Sequence, residues 1–485
     1  MNKLSNLSPQ IVWKYFEEIV QIPRPSKKED KIRAYLFAFA KKHDLAVCTD
    51  EIGNVLIKKP ATFGVEMSKT VVLQSHMDMV CEKNSDKEFD FDTDAIQLVL
   101  DGEWLKADGT TLGADNGIGM AASLAVLASS DIIHGAIECL FTVDEETGLS
   151  GAFALQANFI SGDILLNLDS EDDGEIFVGC AGGMDTLAKL PVSYEEVLPG
   201  NFAMQLEVSG LMGGHSGDDI NKERGNANKI LARFLKQAVE LFGLRVASFN
   251  GGNLRNAIAR EAQAIVLVSQ SLKENLVAEF NIFATELMEE YQHSDRGLKF
   301  LLKSVDLPHR VLTELDNRKL IDLILACPHG VLSMSLRMEG MVETSTNLAS
   351  VKLDERSVCF TTSQRSEVDS RKLAASQMVA AVFELAGAEV THSQGYPGWT
   401  PKPQSYIAQL AVESYKRLFG VEPVVKSIHA GLECGLFLQK YPNLDMISIG
   451  PTIRNPHSPE ERINIEHTEK FWLHLLDILR MIAVS

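Results

Sequence analysis

The first third of the chain alternates amphipathic stretches with short runs of almost unbroken apolar residues. Residues 9–20, behind Ser8-Pro9, and residues 27–43 carry apolar side chains at helical spacing, and proline suits a first helical turn. Residues 54–58 and 70–75 follow as strands. A run such as TVVLQS lacks a polar face, which predicts a central strand covered on both sides and ending at His76. The runs IECLFTV (137–143) and DILLNL (163–168) have the same character, and they end at Asp144-Glu145-Glu146-Thr147-Gly148 and at Asp169. Strands alternating with helices predict a mainly parallel α/β sheet, in which ligands gather at the carboxyl ends of the strands. His76, Glu145, Glu146 and Asp169 fall at such ends.

The pattern changes near Cys180-Ala-Gly-Gly183. Residues 202–210 read as a strand, 226–241 as a helix, 254–269 as a turn and strand, and 272–291 as a long helix. A hairpin over 344–366 and a helix over 371–386 follow. The strand–strand–helix series occurs twice, which predicts an α+β insert that is duplicated. Tyr396-Pro-Gly-Trp399 marks the return, and residues 406–480 read helix, strand, helix around the apolar run MISIG (446–450). The expected organisation is a discontinuous α/β domain, 1–185 and 395–485, with 186–394 inserted as a lid.

Length agrees with more than one core, since the chain has 485 residues. Composition is that of a globular protein, 45% hydrophobic and 23% charged. The formal charge of −20 argues against nucleic acid or an anionic membrane as partner. No stretch approaches the ~20 apolar residues that span a bilayer, and the charged N-terminus lacks a signal-peptide cleavage site. The seven cysteines are odd in number and scattered, without a Cys-x-x-Cys pair. That pattern suits reduced thiols in a cytoplasm, and it leaves any metal to histidine and carboxylate.

The candidate chemistry centres on Thr111-Leu-Gly-Ala-Asp115-Asn-Gly-Ile-Gly119, ahead of an alanine-rich run that reads as a buried helix. Asp115 alone could simply cap that helix. Its company raises it: His76 and Asp78, Glu145 and Glu146, Asp169, and distant His457 between Pro456 and Ser458-Pro459. Residues i and i+2 of a strand share a side, so Asp78 is expected to reach the far nitrogen of His76 and orient it. Of the adjacent glutamates, Glu145 is read as general base and Glu146 as ligand. Glu171, Asp172 and Asp173 read as an exposed loop. Zinc accepts nitrogen and oxygen ligands, and Asp115 is the natural carboxylate to be shared by two ions.

The motifs SHMDMV, TLGADNGIGMA, DEETG, NLDSED and GPTIRNPHSP resemble those of the co-catalytic di-zinc peptidases, which include carboxypeptidases, aminoacylases and dipeptidases. The resemblance runs nearly end to end and is strongest to the bacterial aminoacyl-histidine, or cytosol non-specific, dipeptidases. It implies one zinc on His76, Asp115 and Asp169, and a second on Asp115, Glu146 and His457, with cobalt or manganese as substitutes. It implies Glu145 as base and Asp78 as orienter. In the insert, GLMGGHSG resembles the lid motif whose histidine, here His215, stabilises the oxyanion. Asn256 and Arg365 resemble the residues that hold the substrate's terminal carboxylate, and Gly431 in HAGLECG resembles a substrate-lining position.

The implied activity is hydrolysis of small dipeptides of the Xaa-His, carnosine-like kind. The oligomeric state stays open: smaller relatives take the lid histidine from a partner, as in a homodimer, whereas a duplicated lid could supply His215 within one chain. Three rivals stand beside it: an aminoacylase or carboxypeptidase on N-acyl amino acids, a non-catalytic peptide or metal carrier, and a cysteine amidohydrolase using Cys434 near His429.

Overall fold

The computed structural model describes residues 4–402 and 404–485, and the chain divides into two compact units. The first comprises Met1–Gly179, Trp399–Ser427 and Leu432–Ser485; the second comprises Cys180–Gly398 and Ile428–Gly431. The junctions thus fall at 179/180 and 398/399 rather than at 185/186 and 394/395. Strand pairing explains the shift. Strand Gly182–Pro191 lies antiparallel to Ser357–Ser366 from its first residue, so the chain has joined the second unit's sheet before residue 186. Residues 428–431 follow because Ala181 N donates to Ile428 O at 3.0 Å.

In the first unit an eight-stranded sheet is ordered Ala46–Thr49, Val55–Lys59, Ile137–Thr142, Val71–His76, Ile164–Asn167, Asp445–Ser448, Glu175–Cys180, Val424–Ile428. The four strands from Ile137–Thr142 to Asp445–Ser448 are parallel. The flanking pairs that begin with Ala46–Thr49 and Val55–Lys59 are antiparallel. The parallel expectation therefore holds in the centre and fails at the edges. A short turn joins Ala46–Thr49 to Val55–Lys59, and so tight a connection only permits antiparallel pairing. Strands Val71–His76, Ile137–Thr142 and Ile164–Asn167 are buried at every position. Helix Ala114–Ala128, buried nearly throughout, packs on Val71–His76, as a helix without a polar face must. A small second sheet pairs Ile453–Arg454, Arg462–Asn464, Trp104–Ala107 and Leu98–Asp101, fastening both ends of the loop that carries His457.

The second unit repeats one motif. Strand Asn201–Ser209, helix Ala227–Phe242, strands Arg245–Gly251 and Ala262–Ser269, helix Lys273–Glu290 and strand Lys299–Ser304 form one copy. Gly182–Pro191, helix Glu314–Ala326, Val342–Leu353, Ser357–Ser366, helix Asp369–Leu385 and Glu389–His392 form the other. Within each copy the strands lie in the order fourth, first, third, second. The two second strands meet through Asn250↔Lys352 and Gly251↔Val351. The first copy is inserted inside the second, between its first strand and first helix. All four helices bury apolar residues in one core, including Phe234, Phe280, Ile324 and Phe383. Sequence patterning missed Arg245–Gly251 and Glu314–Ala326.

Asn226 caps helix Ala227–Phe242. Its Oδ1 accepts from Asn228 N at 3.0 Å and Lys229 N at 3.4 Å, and its Nδ2 donates to Leu348 O at 2.8 Å. Asn226→Ala leaves those groups buried without this partner, and a loss of about 1–3 kcal/mol is expected. The check is the denaturant midpoint of the intact chain, which should fall; an unchanged midpoint would show that the cap contributes nothing.

Candidate metal centre

Strand Val71–His76 stops at His76, so Asp78 lies beyond the strand and the period-two argument does not apply to it. The turn brings it to the ring all the same, with Oδ1 at 3.3 Å from His76 Nδ1. Its carboxylate also accepts from Glu145 N (3.0 Å), Glu146 N (3.2 Å) and Ser26 Oγ (2.8 Å). One buried carboxylate therefore orients an imidazole and also fixes the backbone that carries both glutamates. Glu145 and Glu146 start the short helix Glu145–Gly148, just past the end of Ile137–Thr142. Asp169 follows strand Ile164–Asn167 by two residues.

Asp115 sits in extended backbone (φ −79°, ψ 112°) just ahead of the regular part of helix Ala114–Ala128, and its bond to Asn116 is cis. Two glycines make room there. Gly113 has φ +69°, and a Cβ on it would lie 2.6 Å from Arg24 Nη2. A Cβ on Gly119 would lie 2.6 Å from Leu168 O, on the stretch that leads to Asp169.

The side chains of the first unit converge on Asp115. Its Oδ1 is 3.0 Å from His76 Nε2, and its Oδ2 is 3.1 Å from His457 Nε2. His76 Nε2 is also 3.4 Å from Asp169 Oδ1, and His457 Nε2 is 3.0 Å from Glu146 Oε2. The result is two sets, His76–Asp115–Asp169 and Asp115–Glu146–His457, joined by one carboxylate. Asn116 Nδ2 donates to Asp169 Oδ1. Ligand atoms of His76, Asp115 and Glu146 lie within 4.8 Å of one another. Glu146 Oε1 is buried without a hydrogen-bond partner, which is costly unless something else satisfies it. The donor set, two imidazoles and several carboxylates, fits a pair of divalent cations.

The electrostatics point the same way. Burial alone would lower the His76 imidazole, but Asp169, Asp115 and Asp78 outweigh it and hold it well above its ordinary range. His457, likewise opposed by burial, is pushed up to about 12 by Asp115 and Glu146. Burial would raise Asp115, yet the two imidazoles hold it well below the usual carboxylate range. Burial raises Glu145 well above the ordinary value; His76 opposes this, while Glu146, Asp169 and Glu433 reinforce it. Burial likewise raises Glu146 and Asp169, helped in each case by Asp115.

In the second unit His215, Arg365 and Tyr396 form a separate cluster. Arg365 is buried, with Nε 3.2 Å from Ser216 Oγ, Nη1 3.0 Å from Tyr396 Oη and Nη2 3.4 Å from His215 Nε2. Asn256 is exposed, and its carbonyl accepts from Ser216 N at 2.8 Å. Gly431 has a packing reason: a Cβ there would lie 2.7 Å from the Tyr396 ring. His429 Nε2 is 2.8 Å from Ser345 Oγ, and Cys434 is buried.

Three buried ionisable groups escaped the sequence reading. Arg24 donates to Met77 O, Asp78 O and Gly113 O. Glu461 accepts from backbone amides of the Asp115 loop. Glu433, pushed up to about 8 by burial, accepts from Gln74 Nε2 (2.5 Å) and Thr142 Oγ1 (2.8 Å) beneath the site. The only signals were their places: Arg24 between two prolines, Glu461 four residues after His457. The acidic loop at 171–173 is half-buried rather than exposed. Glu171 O accepts from Ile453 N at 3.1 Å, and Asp173 accepts from Tyr415 Oη at 3.2 Å.

Comparison with known proteins now bears on this geometry. The chain matches the description "Peptidase family M20/M25/M40" over residues 72–480. It belongs to that family. It is accordingly a metallopeptidase. It is 45% identical to the cytosol non-specific dipeptidase of Escherichia coli (strain K12), over all of both chains. It is 44% identical to the aminoacylhistidine dipeptidase of Vibrio alginolyticus, whose crystal structure superposes with a TM-score of 0.86 over 99% of this chain and 98% of that one. Human carnosine dipeptidase 1 shares the fold, with 14% identity and a TM-score of 0.51 over 100% and 98% of the two chains. Among the described residues no helix is long and apolar enough to cross a membrane.

In the metal-free protein the neighbouring carboxylates raise the proton affinity of both imidazoles, and a metal ligand must be unprotonated. Cation binding at pH 7 is therefore expected to release protons, with affinity rising as pH rises. Calorimetric titration in buffers of different ionisation enthalpy measures this, and binding without proton release would contradict the charge states described.

Proposed function

We propose that this peptidase hydrolyses dipeptides, with Glu145 as general base. One observation carries the reading: Asp115 presents one oxygen to the His76 imidazole and the other to His457, so one carboxylate is shared by two ligand sets. In this reading His76, Asp115 and Asp169 hold one zinc, and Asp115, Glu146 and His457 hold the other, with Asp78 orienting His76. When bound, the pair would polarise the scissile carbonyl and make a water acidic enough to attack near neutral pH.

The remaining work falls to the chain. Glu145 takes the proton of the attacking water, because its raised affinity for a proton suits a group that must accept one and then return it. It passes that proton to the leaving amine. His215 donates to the carbonyl oxygen as negative charge builds there. Arg365 suits the terminal carboxylate, since a guanidinium can give two parallel hydrogen bonds, and its side-chain contacts among the described residues are to Ser216, Tyr396 and His215. Asn256 assists it. Anchoring a free carboxylate in this way favours dipeptides over longer chains. Full-length identity to the E. coli dipeptidase supports the substrate class, and that relative's name supports a cytosolic location.

Glu145→Gln is expected to lower kcat on Xaa-His dipeptides by about 10²–10⁴-fold while leaving metal content intact. Near-wild-type turnover would remove Glu145 from the role. A panel setting carnosine-like dipeptides against N-acetyl amino acids tests the substrate class. Preferential cleavage of the N-acetyl compounds would replace the dipeptidase reading with that of an aminoacylase.

A further inference from the structure

Glu461 contributes no ligand atom, yet its carboxyl group, on a residue only 2% exposed, accepts hydrogen bonds from four consecutive backbone amides. Oε2 accepts from Leu112 N (2.7 Å) and Gly113 N (2.9 Å), and Oε1 accepts from Ala114 N (2.7 Å) and Asp115 N (3.3 Å). Consecutive amides converge on one anion when a residue among them adopts left-handed backbone, and Gly113 at φ +69° does so here. From the other side Arg24, 1% exposed, donates to Gly113 O at 2.5 Å, to Met77 O at 3.0 Å and to Asp78 O at 2.6 Å. Burial pushes the Glu461 carboxyl up to about 7, against the amides that favour its charged form. The peptide units that carry Asp115 are thus held between a buried carboxyl group on their N–H side and a buried guanidinium on their carbonyl side.

Glu461 also ends the loop that carries His457. Asn455 (φ +54°) and His457 (φ +59°) are left-handed without being glycine, a backbone state that persists only where its surroundings enforce it. Packing of the ring does not enforce it, because the His457 side chain is 52% exposed. Glu461 N donates to Ser458 O at 3.0 Å, and strand Arg462–Asn464 starts at the next residue. Between the two strands that fasten its ends, this loop is also held by the Glu461 carboxyl group, bound to the loop of Asp115.

We propose that Glu461 is a positioning residue that ties the Asp115 loop to the His457 loop, so that the cation position formed by Asp115, Glu146 and His457 depends on it. The proposal rests on the two-cation reading above and adds a residue that binds neither ion. Removing the carboxylate frees the His457 loop to relax toward ordinary backbone. Arg24 still holds the Asp115 loop from its carbonyl side, so the position formed by His76, Asp115 and Asp169 survives.

The test is Glu461→Gln, which keeps the shape but turns an NH2 toward two amide donors. Metal-free wild-type and variant full-length chains are titrated with zinc by equilibrium dialysis, beside thermal unfolding of both. The wild type should bind two ions. The variant should bind one with wild-type affinity and the other roughly 10–100-fold more weakly, and excess zinc should restore kcat with little change in KM. Two ions bound as in the wild type would overturn the proposal, as would equal weakening of both positions. A wild type that does not bind two ions would instead defeat the two-cation reading itself. Should the variant not fold, hydrogen exchange in the metal-free wild type decides. The amides of residues 112–115 should exchange as slowly as those of Val71–His76, and rapid exchange would overturn the anchor.

Discussion

Carboxyl groups crowded at the end of a buried sheet repel one another, and the rest of the first unit is built around that repulsion. Asp78, Asp115, Glu145, Glu146 and Asp169 gather about only two imidazoles. Two like charges ~4 Å apart in a protein interact by about 4 kcal/mol at an effective dielectric constant near 20. In the metal-free chain this crowding draws both histidines toward their charged forms and, with burial, Glu145, Glu146 and Asp169 toward their neutral forms. A cation pair meets it better, since it satisfies carboxylate oxygens that no donor reaches, such as Glu146 Oε1.

Holding such a cluster together requires rigid delivery, and the fold supplies it in layers. Three fully buried parallel strands end at one level and present His76, the Glu145–Glu146 turn and Asp169. Beneath them Glu433, Gln74, Asn167, Ser448 and Ser170 form a continuous buried hydrogen-bonded chain that ties neighbouring strands across the sheet. Asp78 bridges His76 to the backbone of both glutamates, so in the proposed mechanism the orienter of a ligand also positions the base. The second unit solves another problem, a broad sheet made by joining two copies of one motif edge to edge, with a buried arginine whose hydrogen-bond partners are all neutral or imidazole groups.

Much of this was legible in the residues. Unbroken apolar runs mark central strands because both faces must be covered, and polar residues closing such runs can only lie at the sheet's end; His76, Glu145 and Asp169 were found in that way. The glycines around Asp115 announced a close approach, and Arg24 and Leu168 O turned out to be what approaches. Topology was harder to read. Antiparallel edges depend on a tight turn rather than on strand composition, and Glu314–Ala326 carries too weak an apolar stripe to stand out. Asp78 reached His76 through a turn that strand periodicity does not describe. Arg24 and Glu461 stayed hidden because they act on backbone groups, and which backbone they meet is set by folding over separations of 53 to 89 residues for Arg24 and 346 or more for Glu461.

The most direct measurement is a crystal structure of the zinc-loaded protein with anomalous data collected at the zinc edge. The account predicts two peaks at the centre, one beside each oxygen of Asp115, with His76 and Asp169 around the first and Glu146 and His457 around the second. A single peak, or two peaks that do not share the carboxylate of Asp115, would contradict it.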